Sequence, residues 1–232
     1  MKMKKIAIAM GVATLIAGSA AQAEFSANVA ITSDYMFRGV SQNDNDMAIQ
    51  GGFDYSHESG IYVGVWGSNV DDAVFNGSSM ELDTYIGWSG DLGPVSLDVG
   101  ALRYNYPGQA TGPSADTNEY HVGVSRDFGV ASASFTVNHS PDFFNLGSER
   151  YYDLGLEVPA GMATIAAHYG KTRISEKTGI TKQDYADWSL GVSTEYEGFG
   201  FDLTYSDTDD KGMCKGSGLC GRHLALTLSR SF

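Results

Sequence analysis

The stretch Met80-Glu81-Leu82-Asp83-Thr84-Tyr85-Ile86-Gly87-Trp88 alternates with a period of two. Met80, Leu82, Thr84, Ile86 and Trp88 share one parity, and Glu81, Asp83 and Tyr85 the other. Successive side chains of a strand point to opposite faces, so the stretch reads as a strand with one apolar and one acidic face. The connection Gly90–Pro94 follows, and then Val95, Leu97, Val99 and Ala101 alternate against Ser96 and Asp98. Two such runs across a tight turn make an antiparallel hairpin.

The same pattern extends in both directions. Towards the N-terminus, Phe25, Ala27, Val29, Ile31 and Tyr35 oppose Ser26, Asn28, Thr32 and Asp34, and Ile49, Phe53 and Tyr55 oppose Gln50 and Asp54. Ile61, Val63 and Val65 oppose Tyr62, Gly64 and Trp66, where either face could be the apolar one. Towards the C-terminus the runs are Tyr120–Val124, Ala131–Val137, Tyr152–Val158, Ala163–Tyr169, Trp188–Val192, Phe199–Tyr205 and Leu224–Phe232, making twelve in all. The connections alternate too. His57–Gly60, Gly90–Pro94, Asp127–Gly129, Pro159–Gly161 and Glu197–Gly198 are short. Gly39–Asp46, Asn69–Ser78, Asn105–Asp116, Ser140–Glu149, Thr172–Asp184 and Asp207–Gly221 are longer and polar.

Composition limits what such a chain can be. Among 232 residues, 15 Lys+Arg face 28 Asp+Glu, a net charge of −13. That balance disfavours a nucleic-acid partner, because phosphate binding needs a basic surface. Aromatics at 12% and charged residues at only 19% argue against disorder. Two cysteines are too few for a disulfide scaffold or a four-thiolate zinc site. Lys2, Lys4 and Lys5, the uncharged run Ile6–Ala20 and the small-x-small site Ala21-Gln22-Ala23 read as a cleaved secretory signal peptide over 1–23, exported by the Sec route. Residues 24–232 form the mature domain.

No later uncharged apolar run approaches the ~20 residues of a membrane helix, and mean hydropathy is −0.18. Hydropathy is blind to closed β-barrels, whose strands alternate apolar-out and polar-in. A soluble sandwich or lipocalin-like barrel also alternates, with its apolar face inward. Three features favour the membrane. The polar faces are rich in Gly, Ser and Thr. Aromatics cluster near run ends as girdles do: Tyr35, Tyr55, Trp88, Tyr120, Tyr152, Tyr169 and Tyr205. Phe232 closes an every-second-residue apolar set. The expected fold is therefore all-β: an antiparallel transmembrane β-barrel of twelve strands, with short periplasmic turns and long extracellular loops in the bacterial outer membrane.

The segment Ser33-Asp34-Tyr35-Met36-Phe37-Arg38-Gly39-Val40-Ser41-Gln42 resembles the opening of the TorF-type porin family, proteobacterial outer-membrane proteins of unknown role. The resemblance continues through Gly51–His57 and Ser59–Asp71, and resumes at Ser206–Asp209, Cys214, Cys220 and Leu226–Phe232. It implies an outer-membrane channel and supplies no catalytic residue, cofactor or solute. The closing strand, ending at Phe232, also resembles the signal by which barrel-assembly machinery recognises its clients. Arg230 departs from that signal but can snorkel at the interface.

The candidate lumen residues follow from parity. An upper tier holds Asp34, Glu81, Asp83, Glu119, Asp153 and Asp187, and a lower tier Asp54, Asp98, Asp202, Glu157 and Glu195. His121 shares the inward face, and Arg38, four residues after Asp34, is the inward base. Carboxylate rings favour cations; the alternative is a plugged or solvated lumen in which these acids bind each other, Arg38 and water. Arg103 and Arg222 fall outward near the upper ends, where they either contact lipopolysaccharide phosphates or simply snorkel. Cys214 and Cys220 are expected to form a disulfide in an oxidising compartment. Only His223 is near them, so they do not complete a metal shell. His121 with Glu119 or Asp153, and His139 beside Ser140, are the groupings that hint at hydrolysis. The expected function is passive diffusion of small cationic or neutral solutes. A non-conducting binding or structural barrel is the rival, and an enzyme barrel the third reading. Membrane lipid, lipopolysaccharide, the assembly machinery and small solutes are the expected partners.

Overall fold

The computed structural model describes residues 23–110, 112–175 and 183–232. The leader assigned to 1–23 falls, apart from Ala23, outside them. Among the described residues fourteen strands follow in chain order: β1 Glu24–Thr32, β2 Met36–Phe37, β3 Val40–Ser41, β4 Ala48–Ser56, β5 Ile61–Asn69, β6 Met80–Leu92, β7 Val95–Asn105, β8 Thr117–Asp127, β9 Ser132–Ser140, β10 Glu149–Ala160, β11 Ala163–Ile174, β12 Tyr185–Tyr196, β13 Phe199–Thr208 and β14 His223–Ser231. Twelve of them close an antiparallel barrel in the order β1-β14-β13-β12-β11-β10-β9-β8-β7-β6-β5-β4. β2 and β3 pair separately as a small hairpin. Closure is made by β1, which pairs with β4 on one side and β14 on the other. The barrel strands run 9 to 13 residues, the length that crosses a bilayer when tilted.

The barrel is apolar outside and polar inside. Ile86 is 56% exposed and Val122 and Leu154 each 54%, whereas Asp83 is 0% exposed. Glu81, Glu119, Asp187 and Asp202 are buried as well. A water-soluble barrel buries its apolar parity, so this distribution makes the outer wall a lipid-facing belt. The ambiguous strand β5 resolves the same way: Ile61, Val63 and Val65 are exposed, while Tyr62 and Trp66 turn inward.

Short turns join the strands at one end and long loops at the other. The longest departure from simple alternation lies in the first long loop. β1 ends at Thr32, not at Tyr35, and the chain then folds into the lumen. Tyr35, Phe37, Val40, Ser41, Gln42 and Asn43 are buried. Tyr35 is therefore an interior residue and not part of an outer aromatic girdle. The reversal is set by positive φ at Arg38 (49°) and Gly39 (74°). Gly39 is required there for space as well, because a Cβ would lie 2.8 Å from that of Asp187 on the wall.

Candidate functional site: the lumen

The lumen is built around the tip of that inward hairpin. Arg38 donates to Glu119 Oε2 on β8 and Glu149 Oε1 on β10, both at 2.8 Å, and its side chain is only 7% exposed. These strands flank β9, which lies halfway around the barrel from β1 in either direction. The first loop thus crosses the whole lumen and is pinned to the far wall. The register explains the clamp. Ser140 stands opposite Glu149, and Tyr120 opposite His139, so Glu119 and Ser140 come next along the β8–β9 register and the two carboxylates flank a buried serine. The guanidinium also stacks over Tyr151 at 4.1 Å and Phe37 at 4.7 Å. Burial alone disfavours its charge, but the two glutamates outweigh burial and hold Arg38 charged, above the usual arginine range.

The base of the loop is tied down separately. Ser41 Oγ donates to Asp34 at 2.7 Å, and His223 Nδ1 on β14 lies 2.9 Å from the same carboxylate. Asp34 is thus a loop anchor inside the barrel, not a strand residue of the mouth. Asn43 accepts the Tyr35 N–H at 2.9 Å. Tyr35 donates its hydroxyl to Glu81 at 3.2 Å. Burial, reinforced by Glu81 and Asp83, pushes that hydroxyl well above the ordinary phenol range, so it remains a donor. The last long loop lies over the hairpin. Cys214 and Cys220 are disulfide-bonded, their Cα atoms 5.4 Å apart. Val40 packs with Cys214 and Tyr185, and the Ser41 N–H donates to the Leu219 carbonyl at 2.8 Å.

Two histidine clusters occupy the wall. His168 lies 2.9 Å from Asp153 and 2.8 Å from Asp187, with the Tyr151 hydroxyl 3.0 Å away. Gly170 makes room for it, since a Cβ there would meet the Tyr151 hydroxyl at 2.1 Å. Lower down, His121 and Tyr62 both bond Asp98. His121 is therefore paired with neither Glu119 nor Asp153, and His139 bonds the Glu149 carbonyl at 2.8 Å; the two groupings that hinted at hydrolysis are not assembled. Asp202 receives the Thr204 hydroxyl at 2.7 Å.

The structure thus places Asp34, Arg38, Glu81, Asp83, Asp98, Glu119, His121, Asp153, Asp187 and Asp202 inside the barrel. Glu149 was overlooked because it appeared to end a loop, yet it opens β10 and is fully buried. The aromatic filling of the long-loop end was overlooked too. Phe37, Phe75, Tyr104, Tyr106 and Phe143 form one buried cluster, with Phe75 and Tyr106 stacked at 4.3 Å. Isolated Phe residues in otherwise polar loops were the available signal. Several buried acceptors lack any hydrogen-bond partner among the described residues: both Asp83 oxygens, Glu81 Oε2 and Glu149 Oε2.

These features define a porin-like, twelve-stranded transmembrane β-barrel with a polar, acidic lumen. The chain belongs to the family described as bacterial protein of unknown function (Gcw_chp), whose model matches residues 16–232. No curated protein matches it. Among solved structures it resembles Acinetobacter baumannii OccAB2, with 14% identity over 88% of this chain and 59% of that one, at a TM-score of 0.50. A membrane protein from a study of in-meso crystallization matches at 0.55, with 8% identity over 90% of this chain and 83% of that one. Pseudomonas aeruginosa OccK5 (OpdH) matches at 0.49, with 15% identity over 88% of this chain. The chain spans 62% of the length of OccK5. At these identities the likeness is one of fold.

Proposed function

We propose that the protein is a narrow outer-membrane channel through which small cationic or neutral solutes diffuse, as its resemblance to the TorF-type porins implies. The observation that carries this reading is the charge balance of the lumen. Arg38, the inward arginine among the described residues, is consumed by Glu119 and Glu149, while Asp54, partly exposed on the inward face, meets no base there. A pore of that sign attracts cations and repels anions. The long loops face outward from the cell in this reading, and an epitope inserted at the exposed Gly216 is accessible to antibody on intact cells. Labelling that needs a permeabilised outer membrane overturns that orientation.

One observation favours a second reading, a barrel without a continuous bore: the first loop and the aromatic cluster fill the long-loop end. A twelve-stranded barrel is wider than the roughly eight-stranded ones that side chains alone can fill. Planar-bilayer recording separates the two. The channel reading expects small, cation-selective conductance that rises when Arg38→Met releases the hairpin. Silence from both proteins supports the structural barrel.

A further inference from the structure

The outer wall at the long-loop end holds a second charged site, on the face of β10 and β11 opposite the lumen. The register of β10 against β11 sets Arg150 directly opposite Arg173. Both are exposed and share the outward parity of Leu154 and Tyr169. Like charges directly opposite in a ladder repel and destabilise the pair. Snorkelling explains one arginine at an interface, not two forced against each other.

The neighbouring strand residues add positive charge or none. His139 stands opposite Arg150 on its other side, and Lys171 lies one outward position from Arg173. Among the described residues neither arginine forms an ion pair. The outward arginines Arg103 and Arg222, at the upper strand ends, are different: Arg103 binds Asp116 at 3.2 Å, and Arg222 lies 3.6 Å from Asp207. A groove of about 340 Å³ opens at the arginine pair, lined by Ser148, Arg150, Tyr152, Arg173, Ser175 and Asp184 among others. Asp184 is the acid of the groove, and it accepts the Ile174 N–H at 2.9 Å. Below the groove the wall is apolar, with Leu154, Leu156, Ile165 and Leu190 exposed.

We infer that Arg150 and Arg173 bind a phosphate of the phosphorylated glycolipid of the outer leaflet, with its acyl chains lying on the apolar wall below. A phosphate between two guanidinium forks removes the repulsion and meets a geometry that suits bidentate contact. Ordinary lipid headgroup recognition uses such basic pockets at the membrane interface. The choice of leaflet rests on the outward orientation of the long loops.

The test titrates the full-length folded barrel in detergent with bisphosphorylated lipid A, followed by native mass spectrometry. Arg150→Gln/Arg173→Gln is expected to weaken binding about tenfold or more. Arg103→Gln/Arg222→Gln is expected to leave it nearly unchanged, and heat-modifiable migration on gels checks that each variant folds. Equal binding of dephosphorylated lipid A, or an equal loss in the control variant, overturns the proposal. Preference for phosphatidylglycerol overturns the outer-leaflet assignment. Lipid A binding that persists while Gly216 is labelled only from within refutes the orientation and leaves the phosphate site standing.

Discussion

Arg38 shows how one residue organises the interior. Removing it leaves Glu119 and Glu149 facing each other across Ser140 without a counter-charge. Arg38→Met is expected to cost about 3–5 kcal/mol of barrel stability, the penalty of stranding buried charge. Adding Glu119→Gln and Glu149→Gln should recover most of it, measured by denaturant unfolding in lipid vesicles. Loss that is not recovered would show that Arg38 acts through packing on Tyr151 and Phe37 instead. The inside-out wall makes a contrasting prediction on β6. Ile86→Lys puts a charge into lipid near mid-membrane and is expected to cost about 2–4 kcal/mol. Asp83→Asn should cost far less or stabilise, because both Asp83 oxygens are buried without partners. Equal costs at the two positions would overturn the assignment of faces. Parity alone made Asp83 and Ile86 legible in the sequence, since a strand's two faces are fixed by its period. The Arg38–Glu149 pair was not legible: its members are 111 residues apart, and only barrel closure brings them together.

At the level of elements, the strands and short turns followed from alternation and from Gly and Pro at the turns. Loops do not obey alternation, and there the sequence reading went astray. Asp34 and Arg38 continue the parity of β1 on paper, yet the chain has already left the sheet at Thr32. Positive φ at Arg38 and Gly39 converts an apparent strand into the inward hairpin β2–β3. What the spacing of Cys214 and Cys220 could not convey is what their loop covers. Through Leu219 and Val40 it seats the hairpin from the long-loop end. Cys214→Ser/Cys220→Ser is expected to cost about 2 kcal/mol by the chain-entropy argument. Its signature is local: faster amide exchange at Ser41, whose N–H donates to Leu219, with the β10–β11 ladder unchanged. Uniform loosening of the whole barrel would deny the loop its role as a lid on the hairpin.

The whole molecule couples these scales through electrostatics. The wall facing lipid is apolar, so the acidic excess of the chain is concentrated in the lumen and loops. Within the lumen, Glu119 and Glu149 are spent on Arg38, and Asp153 and Asp187 on His168. In the proposed channel, selectivity falls to inward carboxylates that keep solvent exposure and meet no base among the described residues, Asp54 foremost; Glu81 and Asp83 are fully buried. Attraction between unit charges at 4 Å is only about 1 kcal/mol in water and grows in a narrow passage of lower dielectric. Asp54→Asn should thus move the reversal potential in a salt gradient towards zero, and Asp83→Asn, fully buried, should not. Asp153→Asn, which mainly unsettles His168, should move it less. Raising ionic strength should erode the wild-type preference, because the Debye length shrinks from about 10 Å at 0.1 M to about 3 Å at 1 M. A wild-type channel selective for anions at low salt would refute the proposed sign of the pore. A preference unchanged by salt would place its origin in steric fit at the Arg38 hairpin, not in lumen charge.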